Sequence, residues 1–119
     1  MRIEHVAVWS DDIERLREFY VRHFGARAGE RYDNAARGFA SYFLEFDGGA
    51  RLELMQMPGA GGSFAHLALA LGSETAVDAA TERLRSGGVV VAGEPRRTGD
   101  GYYESVVLDP DGNRIELTV

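Results

Sequence analysis

The second half of this 119-residue chain repeats the first, and that repeat limits the fold more than any other feature. At an offset of 63, Gly38 matches Gly101, Phe39 matches Tyr102, Gly49 matches Gly112, Arg51 matches Arg114, Glu53 matches Glu116 and Leu54 matches Leu117, without a gap. His5 and His66 match at an offset of 61, so a two-residue insertion lies between. A repeat of this kind means two copies of one supersecondary unit. A hydrophobic content of 45% over this length suits one globular domain with a modest core and is too little for two independent ones. The expected organisation is a single domain, 1–119, with a first module at 1–57, a linker at 58–63 and a second module at 64–119.

Each half reads as strand, helix and three strands, an α+β pattern of two tandem βαβββ modules. Ser10, Asp11 and Asp12 open a helix by N-capping and by favourable charge at its positive end. Ile13, Leu16, Tyr20 and Phe24 form its apolar stripe, and Gly25 ends it. His23, near that end, reads as a residue compatible with the helix terminus and stays out of the site. Residues 27–33 form a weak strand and 39–46 a stronger one, and Asp47-Gly48-Gly49 turns into the strand that carries Glu53. The second half gives a helix over 73–86 and strands near 89–92, 102–108 and 113–119. Asp109-Pro110-Asp111-Gly112 forms a type I turn with Pro second and Gly fourth. The linker, Pro58-Gly59-Ala60-Gly61-Gly62-Ser63, opens no helix and has no following Lys-Ser/Thr, so it is a connector and not a phosphate loop. The run from Asp109 to Glu116 begins like a calcium loop but is too short to supply the twelfth-position carboxylate.

His5, Glu53, His66 and Glu116 each stand alone among apolar neighbours in four strand-like runs. Each His precedes its Glu by nearly the same distance, 48 residues in the first half and 50 in the second. Side chains alternate faces along a strand, so Val6, Val8, Leu52, Leu54, Ala65, Leu67, Ile115 and Leu117 pack on one side, against helices. The imidazoles and carboxylates share the other. Two His and two Glu make a mononuclear metal set suited to Zn, Ni, Co, Fe or Mn, and on an octahedral ion they leave two adjacent positions for a bidentate substrate. By the same parity Ile3, Ala7, Trp9, Arg51, Met55, Phe64, Ala68, Arg114 and Thr118 face the site. Trp9 and Met55 are candidate pocket walls. Arg37, Arg96 and Arg97, placed in loops near the strand ends, are candidates to hold a substrate carboxylate.

Charge and composition narrow the partners. A net charge of −6 without a basic run speaks against nucleic acid and anionic membranes, and no apolar run is long enough to span a bilayer. The absence of cysteine excludes disulfides, thiolate nucleophiles and zinc–thiolate sites. The start of the chain does not read as a signal peptide, so a cytoplasmic location is expected.

These residues carry a family resemblance. The first strand, Ile-Glu-His-Val-Ala-Val, the closing Asp-Pro-Asp-Gly-Asn-Arg-Ile-Glu-Leu and the two modules resemble the vicinal oxygen chelate superfamily, which includes glyoxalase I, methylmalonyl-CoA epimerase, extradiol dioxygenases and bleomycin-binding proteins. The resemblance implies curved mixed sheets forming a cup, with one divalent metal held by His5, Glu53, His66 and Glu116. Dioxygenases and fosfomycin-modifying relatives resemble the chain but use two His and one Glu, and the epimerase places Gln where Glu53 stands. Glu53 therefore leans toward glyoxalase I, a lyase acting on the hemithioacetal of methylglyoxal and glutathione. The short chain is similar to the bacterial type, for which nickel or cobalt is favoured and zinc, manganese or iron is an alternative. By the same resemblance Glu116 is the first choice for the base that moves a proton between adjacent carbons, with Glu53 as ligand and second base. The substrate is expected to be a small molecule, a hemithioacetal of glutathione or another thiol, and the assembly a homodimer that covers exposed strand edges and apolar surface. Other readings are an epimerase, an Fe(II) extradiol dioxygenase or a non-catalytic binder like the bleomycin-resistance proteins.

Overall fold

The structure, a computed structural model, describes residues 5–60, 66–97 and 103–119. Ile3, Phe64, Ala65, Tyr102 and linker residues 61–63, all invoked above, lie outside them. The chain divides into two units, Met1–Phe64 and Ala65–Val119. Neither contains a described helix long and apolar enough to cross a membrane.

In the first unit, β1 (His5–Trp9) leads to α1 (Ile13–Phe24), followed by β2 (Arg27–Ala28), β3 (Tyr32–Asn34), β4 (Phe39–Glu45) and β5 (Arg51–Gln56). Asp12 caps α1: its backbone is extended and its carboxylate accepts the N–H of Arg15, while Ser10 accepts the N–H of Asp12. Gly25, with φ of 65°, closes the helix in the left-handed conformation that glycine adopts without penalty. Ile13, Leu16 and Tyr20 are fully buried, as the stripe requires, and α1 packs on β4 and β5. The strand order is β1-β5-β4-β2, with β3 also on β4. The strand expected at 27–33 is split in two. From the Ala28–Leu44 pair to the Tyr32–Ser41 pair, the chain advances four residues on one side and three on the other, so Gly29 to Arg31 accommodate one extra residue as a bulge.

The second unit holds β6 (Leu67–Ala70), α2 (Glu74–Ser86), β7 (Val91–Arg97), β8 (Tyr103–Leu108) and β9 (Arg114–Thr118), in the sheet order β6-β9-β8-β7. The topology copies the first unit: the first strand lies parallel to the last, and the other neighbours are antiparallel. Ser73 caps α2 by accepting the N–H of Ala76. β7 starts later and runs further than the expected 89–92. The Val89 N–H is used on Leu84 at the end of α2, and register shifts around Gly93 let the strand continue through Pro95. Arg96 and Arg97 are therefore strand residues, not loop residues. The turn between β8 and β9 is as expected, with Gly112 N–H on the Asp109 carbonyl at 3.0 Å and Gly112 at φ of 81°. Asp109 accepts from the backbone of Asp111 and Asn113 and from the Asn113 side chain. Burial pushes its carboxyl up, and these hydrogen bonds oppose the shift.

Candidate metal centre

Helices cover one face of each sheet, and that decides where the polar residues stand. Leu52, Leu54, Ile115 and Leu117 are buried to 1% exposure or less on the helix side. Their strand neighbours Glu53 and Glu116 therefore lie on the opposite face. In the first unit, Ala7 on β1 sits opposite Glu53 on the parallel strand β5, and His5 stands two residues back on the same face. In the second, Ala68 on β6 sits opposite Glu116 on β9, and His66, just before β6, stands two residues back.

The two His–Glu separations have the same length, through different ring nitrogens. His5 Nε2 lies 3.8 Å from Glu53 Oε2, and His66 Nδ1 lies 3.8 Å from Glu116 Oε1. Both are too long for a hydrogen bond. Two donor atoms each about 2.1 Å from one ion stand about 3.0 Å apart at a right angle and about 4.2 Å apart when opposite, and 3.8 Å falls between these two spans. The carboxylates sit deeper than the imidazoles: Glu53 and Glu116 are 16% and 24% exposed, His5 and His66 41% and 50%. Among the described residues no third His, Asp or Glu joins either pair.

The neighbourhoods of the two pairs differ. In the first unit, Phe43, opposite Glu53 on β4, meets the His5 ring edge to face at 5.3 Å and lies under the Arg51 guanidinium at 4.2 Å. Trp9, Met55, Ser41 and Tyr32 form one row across β1, β5, β4 and β3 on that face. Trp9 and Tyr32 both contact Phe39, at 6.3 and 6.1 Å. In the second unit, Val106 is opposite Glu116, and Glu104, opposite Thr118, faces the same way. Glu104 is 15% exposed, with Arg96 at 4.0 Å.

Of the sequence candidates, Trp9 and Met55 thus share a face with Glu53, and Arg96 shares one with Glu116. Arg97 turns to the other side, where it pairs with Glu74 of α2 and lies over Tyr103. Arg37 is exposed in the turn between β3 and β4. Phe43, Phe39, Tyr32 and Glu104 were not singled out from the sequence. The parity of β4 and β8 signals all of them except Tyr32, whose strand is displaced by the bulge.

Comparison with known proteins agrees with this fold. Residues 2–117 match the model of the Glyoxalase/Bleomycin resistance protein/Dioxygenase superfamily. Over 84 residues the chain is 34% identical to the cadmium-induced protein CadI of Mycobacterium tuberculosis, an overlap of 71% of this chain and 52% of CadI. It thus spans about half the length of the curated relatives it matches. Glyoxalase I from Zea mays superposes with a TM-score of 0.80 at 25% identity, covering 98% of this chain and 44% of the maize protein. A possible glyoxalase from Bacillus cereus gives 0.79 at 28% identity, covering 100% and 99%. The repeated fold and a match over nearly the whole chain agree: this protein belongs to the Glyoxalase/Bleomycin resistance protein/Dioxygenase superfamily.

Proposed function

We propose that the protein is a divalent-metal-dependent lyase or isomerase of the glyoxalase I type, in which His5, Glu53, His66 and Glu116 share one ion. The observation that carries this reading is the equal 3.8 Å spacing of the two His–Glu pairs at matching registers. The donor set fits nickel, cobalt or zinc, and the ion supplies Lewis acidity to a pair of vicinal oxygens on the substrate. The chain's own residues do the rest. Glu116 accepts the proton from the substrate carbon and returns it to the neighbouring carbon, which needs a carboxylate beside the reacting atoms and partly shielded from water. Glu53 is a ligand and the alternative base. Phe43 fixes the His5 ring by its edge contact. Trp9 and Met55 border the site from the first unit and Arg96 from the second. The substrate is a hemithioacetal or a compound with the same vicinal oxygens, and the active assembly is a homodimer.

Elemental analysis of the protein, followed by a hemithioacetal assay with each divalent ion, tests this directly. Cadmium belongs in the series, since the relative CadI is named as cadmium-induced. One ion per chain is expected, lost on substitution of either histidine. Two ions per chain would sink the shared site. Chelation should abolish turnover, with recovery on adding Ni²⁺, Co²⁺ or Zn²⁺; a binder would keep its ligand affinity, and a dioxygenase would consume oxygen with a catechol. Glu116→Gln should suppress proton transfer far more than it weakens metal binding, because an amide still coordinates but takes no proton. Equal losses in both would reassign the base.

A further inference from the structure

We infer that Glu104 is a specificity-determining residue that accepts a cationic hydrogen-bond donor, a protonated amine, on the substrate. The inference rests on the proposed chelate site and names the substrate class that site takes. Three observations on the second unit support it. First, Ser105 is fully buried on the helix side, bonded to Thr81 of α2, so its neighbour Glu104 points to the opposite face, the face of Glu116. Second, Glu104 stands opposite Thr118, two residues along β9 from Glu116, a diagonal placement that separates the two residues by about 7–8 Å. A group one short chain away from the chelated oxygens reaches it. Third, the carboxylate is 15% exposed, and its partner among the described residues is Arg96 at 4.0 Å, the outer limit of an ion pair. A carboxylate has about four acceptor positions, and one distant guanidinium leaves most of them to a ligand.

Neighbouring side chains do not close the position. Thr118 directs its hydroxyl to the Tyr103 carbonyl, so it does not donate to Glu104. Arg96 is 57% exposed and can swing toward solvent as a ligand enters. The repeat supplies an internal contrast, because the residue equivalent to Glu104 is Ser41, which is buried in the first unit. The carboxylate is thus a property of one half of the chain and not of the module, as expected of a residue that reads one end of an asymmetric substrate.

The test uses nickel-loaded protein and two hydroxamates of equal length, which chelate through paired oxygens: one ends in a protonated ω-amino group, the other in a methyl group. Calorimetric titration should show the amino compound binding about tenfold or more tightly, the scale of a charge-assisted hydrogen bond. In Glu104→Gln the preference should fall to near unity with nickel content unchanged. An undiminished preference in that variant, or none in the wild type, would overturn the inference. Arg96→Ala, a change at an exposed side chain, serves as a second arm. Removing the competing cation should increase the preference for the amine, and a decrease or no change refutes the role given to Glu104. If nickel binds and neither hydroxamate does, the chelation reading fails first and this inference falls with it, an outcome distinct from loss of the amine preference alone.

Discussion

The buried hydroxyl pair that ties α2 to β8 provides a sharp energetic test of how the second unit holds its ligand face. Thr81 and Ser105 are both fully buried, and their hydroxyl oxygens lie 2.7 Å apart. Thr81 has one proton and donates it to the Val77 carbonyl at 2.7 Å, so Ser105 must be the donor between the two hydroxyls. Thr81→Val then strands the Ser105 hydroxyl in the core without an acceptor, at a cost of about 1–3 kcal/mol. Ser105→Ala leaves Thr81 its bond to Val77 and removes one ordinary hydrogen bond, about 0.5–1.5 kcal/mol. In the double variant no polar atom is left unpaired, so its cost should fall short of the sum by about 1 kcal/mol or more. Urea unfolding followed by far-UV circular dichroism measures this, since the single tryptophan, Trp9, belongs to the first unit. With a slope of about 1–3 kcal/mol per molar urea, Thr81→Val should shift the midpoint by about 1 M. Additive costs, agreeing within about 0.5 kcal/mol, would refute the donor assignment and the claim that Ser105 depends on Thr81.

Other outcomes are expected elsewhere. Phe43→Leu removes the edge contact to His5 and should lower metal affinity about tenfold or more, in the range of lost supporting contacts to a ligand, as read by competition with a chromophoric chelator; unchanged affinity would show that the ring does not orient His5. Gly112→Ala meets no atom within 4 Å, so its cost is purely that of a left-handed backbone, about 1–2 kcal/mol in thermal unfolding; a neutral result would mean that the turn relaxes. Tyr42 and Arg31 hydrogen-bond Glu14 and hold its carboxyl below the usual glutamate value. A depressed carboxylate contributes stability above its unfolded pKa and loses it as pH falls through the folded value. Tyr42→Phe should cost about 1 kcal/mol at neutral pH, and the difference from wild type should shrink on acidification; a constant difference would contradict the linkage.

Much of the fold was legible because its signals are local and were repeated. Asp12 and Ser73 cap helices that begin where those side chains say, and the Asp109–Gly112 turn follows from Pro and Gly at fixed positions. The misplacements occurred where sheet pairing outweighed local pattern. Val89 looks like a strand residue but gives its N–H to the end of α2, and Gly93 and Pro95 suggest a break that register shifts absorb. Arg96 and Arg97 were consequently assigned to a loop, although a strand separates them onto opposite faces, one beside Glu104 and the other on Glu74. The four candidate ligands were visible because a polar residue between apolar ones contradicts a one-sided strand. Phe43 was not, because an aromatic among apolar neighbours breaks no pattern, and only the pairing of β4 with β5 sets it beside Glu53.

The two units agree at the proposed metal ligands and differ on the strand beside them. Glu53 and Glu116, and the arginines two residues before them, occupy equivalent places on the last strand of each unit, and each His stands at the same step from its Glu. A pair of donors alone binds a divalent ion weakly, which is why the proposed function assigns both pairs to one ion. Across the neighbouring strand the equivalence ends: Phe43 corresponds to Val106, and Ser41 to Glu104. The aromatic row of Trp9 and Phe39 thus belongs to the first unit, and the carboxylate of Glu104, proposed above to read a substrate amine, to the second. Glu104→Ser, which gives the second unit the residue of the first, should therefore abolish the amine preference of the nickel-loaded protein without changing its metal content. Retained preference in that variant would mean that specificity resides elsewhere than at Glu104.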